Sequence, residues 1–496
     1  MNVLKAGTAV VALALLGAFG VQVLAVILEQ VGLLLVLVAL AAAPLWLPLG
    51  FRAARQARVR WPQLWAHIGW PHLLWLLLFL SIMLFRVRNT REIREALLDS
   101  GAIYRILLVA LVAAMIAYRF GLRSDFWRNS MFRGLVGLLT IYGLLSLLST
   151  LWSVHPAWTA YKSAEMLVDI AAVAAILLLL KRREHFGTLF DWTYLLFGGL
   201  LGTVWIGLLV WPELALQPSR GMIPVQLFGV MPVVHANSVG EYSALLAFVA
   251  VARLRFGSRQ ARPLYYVLLT VCLASLILSQ TRSAIGGFLL ASFVVLALAS
   301  PKFTAASVAV MAMALFSVAG LGQFLWAYLS RGQSVELMET FTGRMSWWTA
   351  AWEVFLENPL FGIGGFAAGR FGVLENINPI PSNLHNSFLE VLVGVGIIGL
   401  IPFVLVFAGT WSTLLRGYRQ TIRGTPEHSR LLEALGILII ITIRSLFAGT
   451  LVLHPPLFFL LVVSYAEFLR RRYLAAEAPE RPWTEARLRT AGIRTA

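Results

Sequence analysis

Charged residues and cysteine are both scarce in this 496-residue sequence, and each shortage excludes a class of protein. Only 13% of the residues are charged, whereas about a quarter is usual for a soluble domain. Cys272 is the one cysteine, so neither a disulfide within the chain nor a thiolate zinc site can form. Hydrophobic residues make up 59% of the chain, which indicates that most of it lies in lipid.

Several motifs of metal and nucleotide chemistry are also missing. The only aspartates, Asp99, Asp125, Asp169 and Asp191, are far apart, so there is no Asp-x-Asp site for a diphosphate-bound metal. The run at 362–365 is Gly-rich but lacks a following Lys-Ser/Thr, which excludes a P-loop and predicts a flexible turn. No Gly-x-Ser-x-Gly nucleophile motif occurs. We therefore predict no metal site and no cofactor.

Long hydrophobic runs dominate what is present. Backbone groups in lipid must bond within the protein, so a spanning chain forms helices or a closed barrel. Runs such as 31–49 and 284–299 do not alternate, which excludes a barrel. The sequence predicts an all-α polytopic membrane helical bundle of about 12–14 transmembrane helices, with spans near 7–28, 31–49, 71–85, 103–119, 134–152, 163–180, 188–211, 237–252, 264–280, 283–299, 303–326, 386–410, 431–451 and 455–469.

The net charge of +17 fixes the predicted orientation. In a soluble protein this excess would suggest nucleic acid, but here it suits the cytoplasmic loops and anionic lipid. Most of the 40 Lys and Arg fall in alternate loops, which predicts an inner-membrane protein with both termini in the cytoplasm. The segment 86–105 is an exception, because it is predicted to be external yet holds five arginines, and we expect an interfacial helix there.

Three regions follow from this organisation. Residues 1–210 are predicted to be N-terminal transmembrane helices. Residues 211–470 contain the polar motifs and a long external loop, 327–384, with short helices in it. Residues 471–496 form a basic tail that we predict to be cytoplasmic.

Polar residues gather on the predicted outer side, where chemistry could take place. They are Arg220 and the run His235-Ala236-Asn237 in the first long outer loop, Arg282 within the turn Ser279–Ser283, Arg344 at the start of an amphipathic helix, His385-Asn386 at the next span, and Arg444 inside a span.

Each of these residues also has a structural interpretation. An arginine at a membrane edge usually extends to lipid phosphates, and a lone histidine usually bonds a backbone carbonyl. Arg444 is harder to dismiss, because an arginine inside a span costs about 2.5–3.5 kcal/mol and usually faces a cavity or a partner. Glu165 and Asp169, near Lys162, either form a structural cluster or line a cavity. Taken together, the set is cationic and suits an anionic leaving group such as a diphosphate.

At these residues the chain resembles the O-antigen ligase and O-antigen polymerase family of bacterial envelope enzymes. The similarity covers roughly 210–470, and it rests on Ser279-Gln280-Thr281-Arg282-Ser283-Ala284, Thr342-Gly343-Arg344-Met345-Ser346-Trp347, Asn358-Pro359-Leu360-Phe361-Gly362-Ile363-Gly364, His385-Asn386-Ser387-Phe388-Leu389-Glu390 and the small-residue run Gly394–Gly399.

The resemblance implies a metal-independent, inverting glycosyltransferase that works at the periplasmic face. Its donor would be a glycan on undecaprenyl diphosphate, and its acceptor would be a lipid A-core sugar for a ligase or a lipid-linked repeat unit for a polymerase. By analogy, Arg220 and Arg282 would hold the diphosphate, with Arg344 and Arg444 as further candidates. His385 would activate or orient the acceptor hydroxyl. His235, Asn237 and Asn386 are possible supporting residues.

Two other classes of protein stay open. A lipid-linked glycan flippase or transporter also needs many spans and a cationic cavity, although it should show paired charges deep in several spans and interrupted helices. A non-catalytic assembly partner is the third alternative.

Overall fold

The computed structural model describes residues 68–180, 183–219, 223–299, 343–377, 383–452 and 455–477, together with residues 52, 53, 55 and 330. Three predicted spans, 7–28, 31–49 and 303–326, lie outside the described residues, as does the site candidate Arg220.

Helices account for nearly all of the regular structure that is described. They are α1 (Trp70–Ser81), α2 (Thr90–Glu95), α3 (Ser100–Phe120), α4 (Gly134–Leu148), α5 (Pro156–Leu179), α6 (Arg183–Val210), α7 (Pro212–Ala215), α8 (Ala236–Phe256), α9 (Arg262–Ser279), α10 (Arg282–Ala299), α11 (Arg344–Glu357), α12 (Ser387–Gln420), α13 (Pro426–Phe447) and α14 (Leu457–Glu477). Two three-residue strands, β1 (Leu216–Pro218) and β2 (Val225–Leu227), pair antiparallel.

The fold class predicted from the sequence is confirmed. Every predicted span that falls on described residues coincides with a helix, and six described helices are long and apolar enough to cross a membrane. One continuous core of buried side chains runs through the bundle, with Phe248, Phe403 and Tyr465 among its largest members. The protein is therefore an all-α polytopic bundle.

Three helices of the C-terminal half approach each other closely through glycines. A Cβ on Gly436 of α13 would lie 1.9 Å from the ring of Phe248 on α8, and a Cβ on Gly287 of α10 would lie 3.4 Å from the backbone of Ile440 on α13. Because these positions have no side chain, the backbones of α10 and α13 come close together at Gly287, and the ring of Phe248 on α8 fits against α13 at Gly436. This packing brings their polar residues within bonding distance of one another.

The loops lie on two faces of the bundle, as an alternating topology requires. On one face, which we call the site face, the backbone amide of Val233 donates to Leu84, that of Val154 donates to Ile363, and the Ser387 hydroxyl donates to Ala448. On the opposite face, the first turn of α4 contacts Glu467 of α14. The site face contains the ends of the segments 82–99, 149–158, 211–235, 279–283, 343–386 and 447–452.

Helix α12 is broken near its site-face end. Gly396 has φ +67°, so the helical hydrogen-bond ladder is interrupted there. The Gly-rich segment docks into this break: the amide of Ile363 donates to Val393, that of Gly364 donates to Gly394, and that of Ile397 donates to Pro359. The segment 359–364 therefore fills the break and bonds the backbone groups that the break leaves without helical partners. It is not the flexible turn predicted at 362–365.

The segment 86–105, which holds five arginines, is bonded to a later part of the chain. The segment forms the short helix α2, and Arg370 of the later outer loop donates to the Thr90 hydroxyl and the Arg88 carbonyl. Each of the five arginines lies near a carboxylate: Arg86 with Glu92, Arg88 with Asp99, Arg91 with Glu95, Arg94 with Glu375 and Arg105 with Glu165. Their charges are compensated within the fold.

Candidate functional site

His385 lies in a strained turn immediately before α12. Its φ is +55°, a left-handed backbone value that few residues other than glycine adopt. Asn383 accepts a hydrogen bond from the backbone amide of His385 at 2.8 Å. The side chain of Asn386 caps α12 by accepting from the amides of Phe388 and Leu389, both at 3.1 Å. The turn is therefore held on both sides of the histidine, which is a common feature of functional sites.

Helix α11 covers this turn with its first residues. The ring of Trp347 stacks on the imidazole of His385 with centroids 6.0 Å apart, and the indole of Trp348 donates to the carbonyl of Leu384 at 2.8 Å. Arg344 donates from Nη1 to the carbonyl of Phe447, the last residue of α13, at 3.0 Å. The start of α11 thus joins the His385 turn to the site-face end of α13.

Arg444 is a buried junction of three helices. Its Nε and Nη2 atoms donate to Oε2 of Glu241 on α8, at 3.1 and 2.9 Å. Its Nη1 donates to the hydroxyl of Ser283 on α10 at 2.7 Å, and its Nη2 donates to the carbonyl of Asn237 at 3.3 Å. Because its charge is paired with Glu241 and most of its N–H donors are in use, Arg444 holds the three helices together. It has few donors left to bind a ligand.

The electrostatics of His385 show which candidates the fold brings together. Burial, followed by the charges of Arg344 and Arg444 and the imidazole of His235, lowers the pKa of His385 to about 3. Arg344, Arg444 and His235 therefore each lie within electrostatic range of His385. Because its pKa is lowered, the imidazole is neutral at neutral pH. Among the residues that the structure describes, none bonds either ring nitrogen, which leaves them open to a ligand.

The observed contacts of the three supporting candidates, His235, Asn237 and Asn386, all involve backbone groups. His235 caps α8, with its Nδ1 accepting from the amide of Asn237 at 3.1 Å. Asn237 contributes its carbonyl to Arg444. Asn386 is occupied as the cap of α12. All three lie at the candidate site, and their observed contacts position helix ends.

The turn that contains Arg282 is anchored to the first outer loop. Gln280, with φ +51°, donates to the carbonyls of Ile223 and Val225 at 3.0 and 2.7 Å, and it accepts from the hydroxyl of Ser219 at 3.2 Å. Arg282 donates to the carbonyl of Ser330 at 3.2 Å and precedes Ser283, the partner of Arg444. Arg282 thus flanks the cluster, one residue from a direct contact with it.

An open groove adjoins the cluster between α11 and α12. Its volume is about 460 Å³, within the range of ligand pockets, and its lining is mainly apolar. Trp348, Trp352 and Leu392 line it, and Asn386 places it directly beside His385. A hydrophobic channel therefore adjoins the cationic cluster.

Comparison with known families identifies this region of the chain. Residues 265–404 match the family model described as O-Antigen ligase. This region is similar to the O-antigen ligase family. The resemblance proposed from the sequence is thereby confirmed for these residues, and the apolar helices show a multi-pass membrane protein. No curated protein matches the chain.

The O-antigen ligase match covers only some of the clustered residues. It spans Arg282, Arg344, His385 and Asn386 and a little over a quarter of the chain. Arg444 and Glu241 lie outside it, and they contact the matched region through the hydrogen bond from Arg444 to Ser283. In the described part of the chain, no group of three or more His, Cys, Asp or Glu side chains could hold a metal ion.

Two acidic residues of this O-antigen ligase-like site were missed. Glu241 lies inside a predicted span, and an acid there should have been paired with Arg444 from the outset, because a buried charge needs a partner. Glu390 was noticed only as part of a motif, yet its buried carboxyl accepts from the backbone amide of Leu384.

A separate buried cluster of charged residues contains Lys162, Glu165 and Arg105. Lys162 pairs with Glu165 within α5, and Nε of Arg105 lies 3.7 Å from the same carboxylate. Arg105 also donates to the carbonyl of Ser81 at 2.9 Å. These contacts fasten α3 and α1 to α5, which favours the structural one of the two alternatives.

Proposed function

We propose that the protein is a glycosyltransferase that moves a glycan from undecaprenyl diphosphate to a sugar hydroxyl at the periplasmic face. The observation that carries this proposal is the neutral, open imidazole of His385 within range of Arg344 and Arg444, in the region that matches the O-antigen ligase family. Arg282 and Arg220 complete the proposed diphosphate site.

The proposed reaction is a single displacement at the anomeric carbon. The acceptor hydroxyl oxygen forms a bond to that carbon while the bond from the carbon to the diphosphate oxygen breaks. The hydroxyl proton passes to a ring nitrogen of His385, and the diphosphate leaves with the bonding electrons. One displacement inverts the anomeric centre. The arginines stabilise the departing charge where other enzymes use a divalent ion, so the transfer is proposed to be metal-independent.

The lowered pKa of His385 couples proton transfer to the donor. In the free protein, burial disfavours a proton on the imidazole, and that proton would also repel the charges of Arg344 and Arg444. A bound diphosphate brings negative charge to the same place, which offsets that repulsion and favours the imidazolium. His385 therefore accepts a proton readily when the donor is bound, and its imidazole stays neutral when the donor is absent.

The groove between α11 and α12 supplies the other half of donor recognition. Burial of apolar surface stabilises binding by about 25 cal/mol per Å², and the groove is lined by Trp, Phe and Leu side chains. We propose that it holds the isoprenoid chain near the diphosphate. The acceptor is then either a lipid A-core sugar, as in a ligase, or a second lipid-linked repeat unit, as in a polymerase, with the ligase favoured.

Transfer assays with purified protein test the proposal. A lipid-linked glycan donor is supplied with lipid A-core in one reaction and with only further donor in another, and the products are identified by mass spectrometry. We expect one of the two acceptors to be extended. Arg282→Ala and Arg344→Gln should each raise the KM for the donor by about tenfold or more. Arg419→Gln, on the opposite face, is the matched control. Wild-type KM values in both site variants would refute the assigned diphosphate site.

A flippase shares two features with this structure, so it needs a direct test. Helix α12 is interrupted at Gly396, and Arg444 is paired with Glu241 within the bundle. The break is filled by the 359–364 segment of the same chain, which favours an enzyme over a transport path. In proteoliposomes with fluorescent lipid-linked glycan and no acceptor, we expect no protein-dependent translocation. Translocation at a rate above that of empty liposomes would support the flippase.

A further inference from the structure

Glu390 lies in the first turn of α12, directly behind the His385 turn. Only 6% of its surface is exposed, and its Oε1 accepts from the backbone amide of Leu384 at 2.5 Å. That amide immediately precedes His385. The carboxyl therefore reaches back from the helix and ties down the residue before the histidine.

The surrounding chain is shaped to admit this carboxyl. A Cβ on Gly369 would lie 2.4 Å from Oε2 of Glu390, so any residue larger than glycine would push the carboxyl from its place. Tyr142, Phe366 and Val395 form an otherwise apolar wall around it. No ion pair to Glu390 occurs within the part of the chain that is described. A helix that needed only a cap already has one in Asn386, so capping does not account for the buried acid.

We propose that Glu390 is a positioning residue for His385. It rests on the proposed function, in which His385 receives the acceptor proton. The backbone of His385 is held in the left-handed region, which costs about 1–3 kcal/mol and persists only where its surroundings enforce it. Asn383 enforces it from the amide of His385, and Glu390 enforces it from the amide of Leu384. Without the carboxyl, the turn relaxes and the imidazole moves away from the acceptor hydroxyl.

The test compares Glu390→Gln and Glu390→Ala with the wild type in the transfer assay. Glutamine retains an oxygen acceptor for the Leu384 amide, so its kcat should stay within about threefold of wild type. Alanine removes the acceptor, and kcat should fall by about 10- to 100-fold, as expected for a misplacement of about 1 Å. The KM for the donor should stay within about twofold, because the arginines are untouched. A kcat for the alanine variant equal to wild type overturns the proposal.

A double-mutant cycle separates positioning from general structural support. Since Glu390 acts through His385, Glu390→Ala should cause no further loss in a His385→Ala background. An equal fold-loss in both backgrounds overturns the proposal. Should Glu390→Ala fail to fold, Asn383→Ala removes the second restraint on the same turn and should show the same dependence on His385. If His385→Ala itself matches wild type, the proposed function fails; if only the Glu390 variants match wild type, this inference alone fails.

Discussion

At the scale of single residues, the site is governed by the charge around one imidazole. The sequence predicts His385 as the candidate base, because this histidine stands at the start of a span after the long loop 327–384, and its role stays a prediction. Its environment was not predictable, since the pKa depends on burial and on the distances to Arg344 and Arg444. Those distances arise from how α11, α12 and α13 pack.

The pH dependence of transfer follows from this environment. The pKa of His385 is about 3, below its ordinary value of 6.5, so the free protein keeps the neutral base far into acid. We expect kcat/KM to show no loss attributable to this histidine from about pH 7 to about pH 5. A loss centred near pH 6.5 in the wild type would contradict the assignment.

The variant Arg344→Gln tests whether this arginine lowers the pKa of His385. Removing a nearby positive charge stabilises the imidazolium, so the pKa of His385 rises and the acid limb of kcat/KM moves to higher pH. Arg419→Gln, which lies on the opposite face, should leave the profile unchanged. An unshifted acid limb in the Arg344 variant would show that the two groups do not interact.

At the scale of helices, hydropathy located the elements but not their ends. Helix α5 begins at Pro156, seven residues before the predicted span, because His155 caps it and proline suits its first turn. Hydropathy marks the part of a helix in hydrocarbon, whereas caps determine where the helix begins. The break at Gly396 was also missed, since small apolar residues fit a continuous span as well as an interrupted one.

The break in α12, which residues 359–364 fill, predicts that a side chain at position 396 destabilises the protein. A Cβ on Gly396 would lie 2.2 Å from the carbonyl oxygen of Leu360, and its φ of +67° disfavours any other residue. Gly396→Ala should therefore destabilise the protein by about 2–4 kcal/mol, measured by thermal unfolding in detergent. Gly198→Ala, at a helical position with open space, is the control and should not lower the melting temperature. A Gly396 variant as stable as wild type would contradict the close packing of residues 359–364 on this break.

The Arg444–Glu241 pair predicts a coupling between helices. Glu241→Leu leaves a buried guanidinium without its carboxylate, which costs about 3–5 kcal/mol. The double variant Glu241→Leu with Arg444→Leu should be more stable than Glu241→Leu alone, because no unpaired charge is left. Melting temperatures of the three proteins in detergent decide this. Equal stability of Glu241→Leu and wild type would mean that the pair does not fasten α8 to α13.

At the scale of the whole molecule, the topology is the sequence-derived prediction with the widest consequences. The alternation of apolar runs predicted which loops share a face, and the observed contacts group those loops accordingly. The choice of partners across that face was out of reach, because it depends on how each helix is rotated about its axis. Arg282 and Arg444, for example, are predicted in one pocket, and among the described contacts Arg444 bonds Ser283, the residue that follows Arg282.

Labelling of single cysteines tests the orientation. Cys272 is fully buried, so the wild type gives a low background. Val87→Cys on the site face and Ile422→Cys on the opposite face replace side chains that are 69% and 77% exposed. A membrane-impermeant maleimide should label Val87→Cys in spheroplasts, and Ile422→Cys only after permeabilisation. The reverse pattern would place the candidate site in the cytoplasm.

The most direct test of the account is single-turnover transfer by His385→Ala. With purified protein and saturating lipid-linked donor, we predict that the rate of glycan transfer falls by at least about 100-fold, the loss expected for a general base. Affinity for the donor should change by less than about twofold, because the arginines still bind the diphosphate. A variant that transfers glycan at the wild-type rate would contradict the claim that this imidazole, beside the arginines of the site face, takes the acceptor proton.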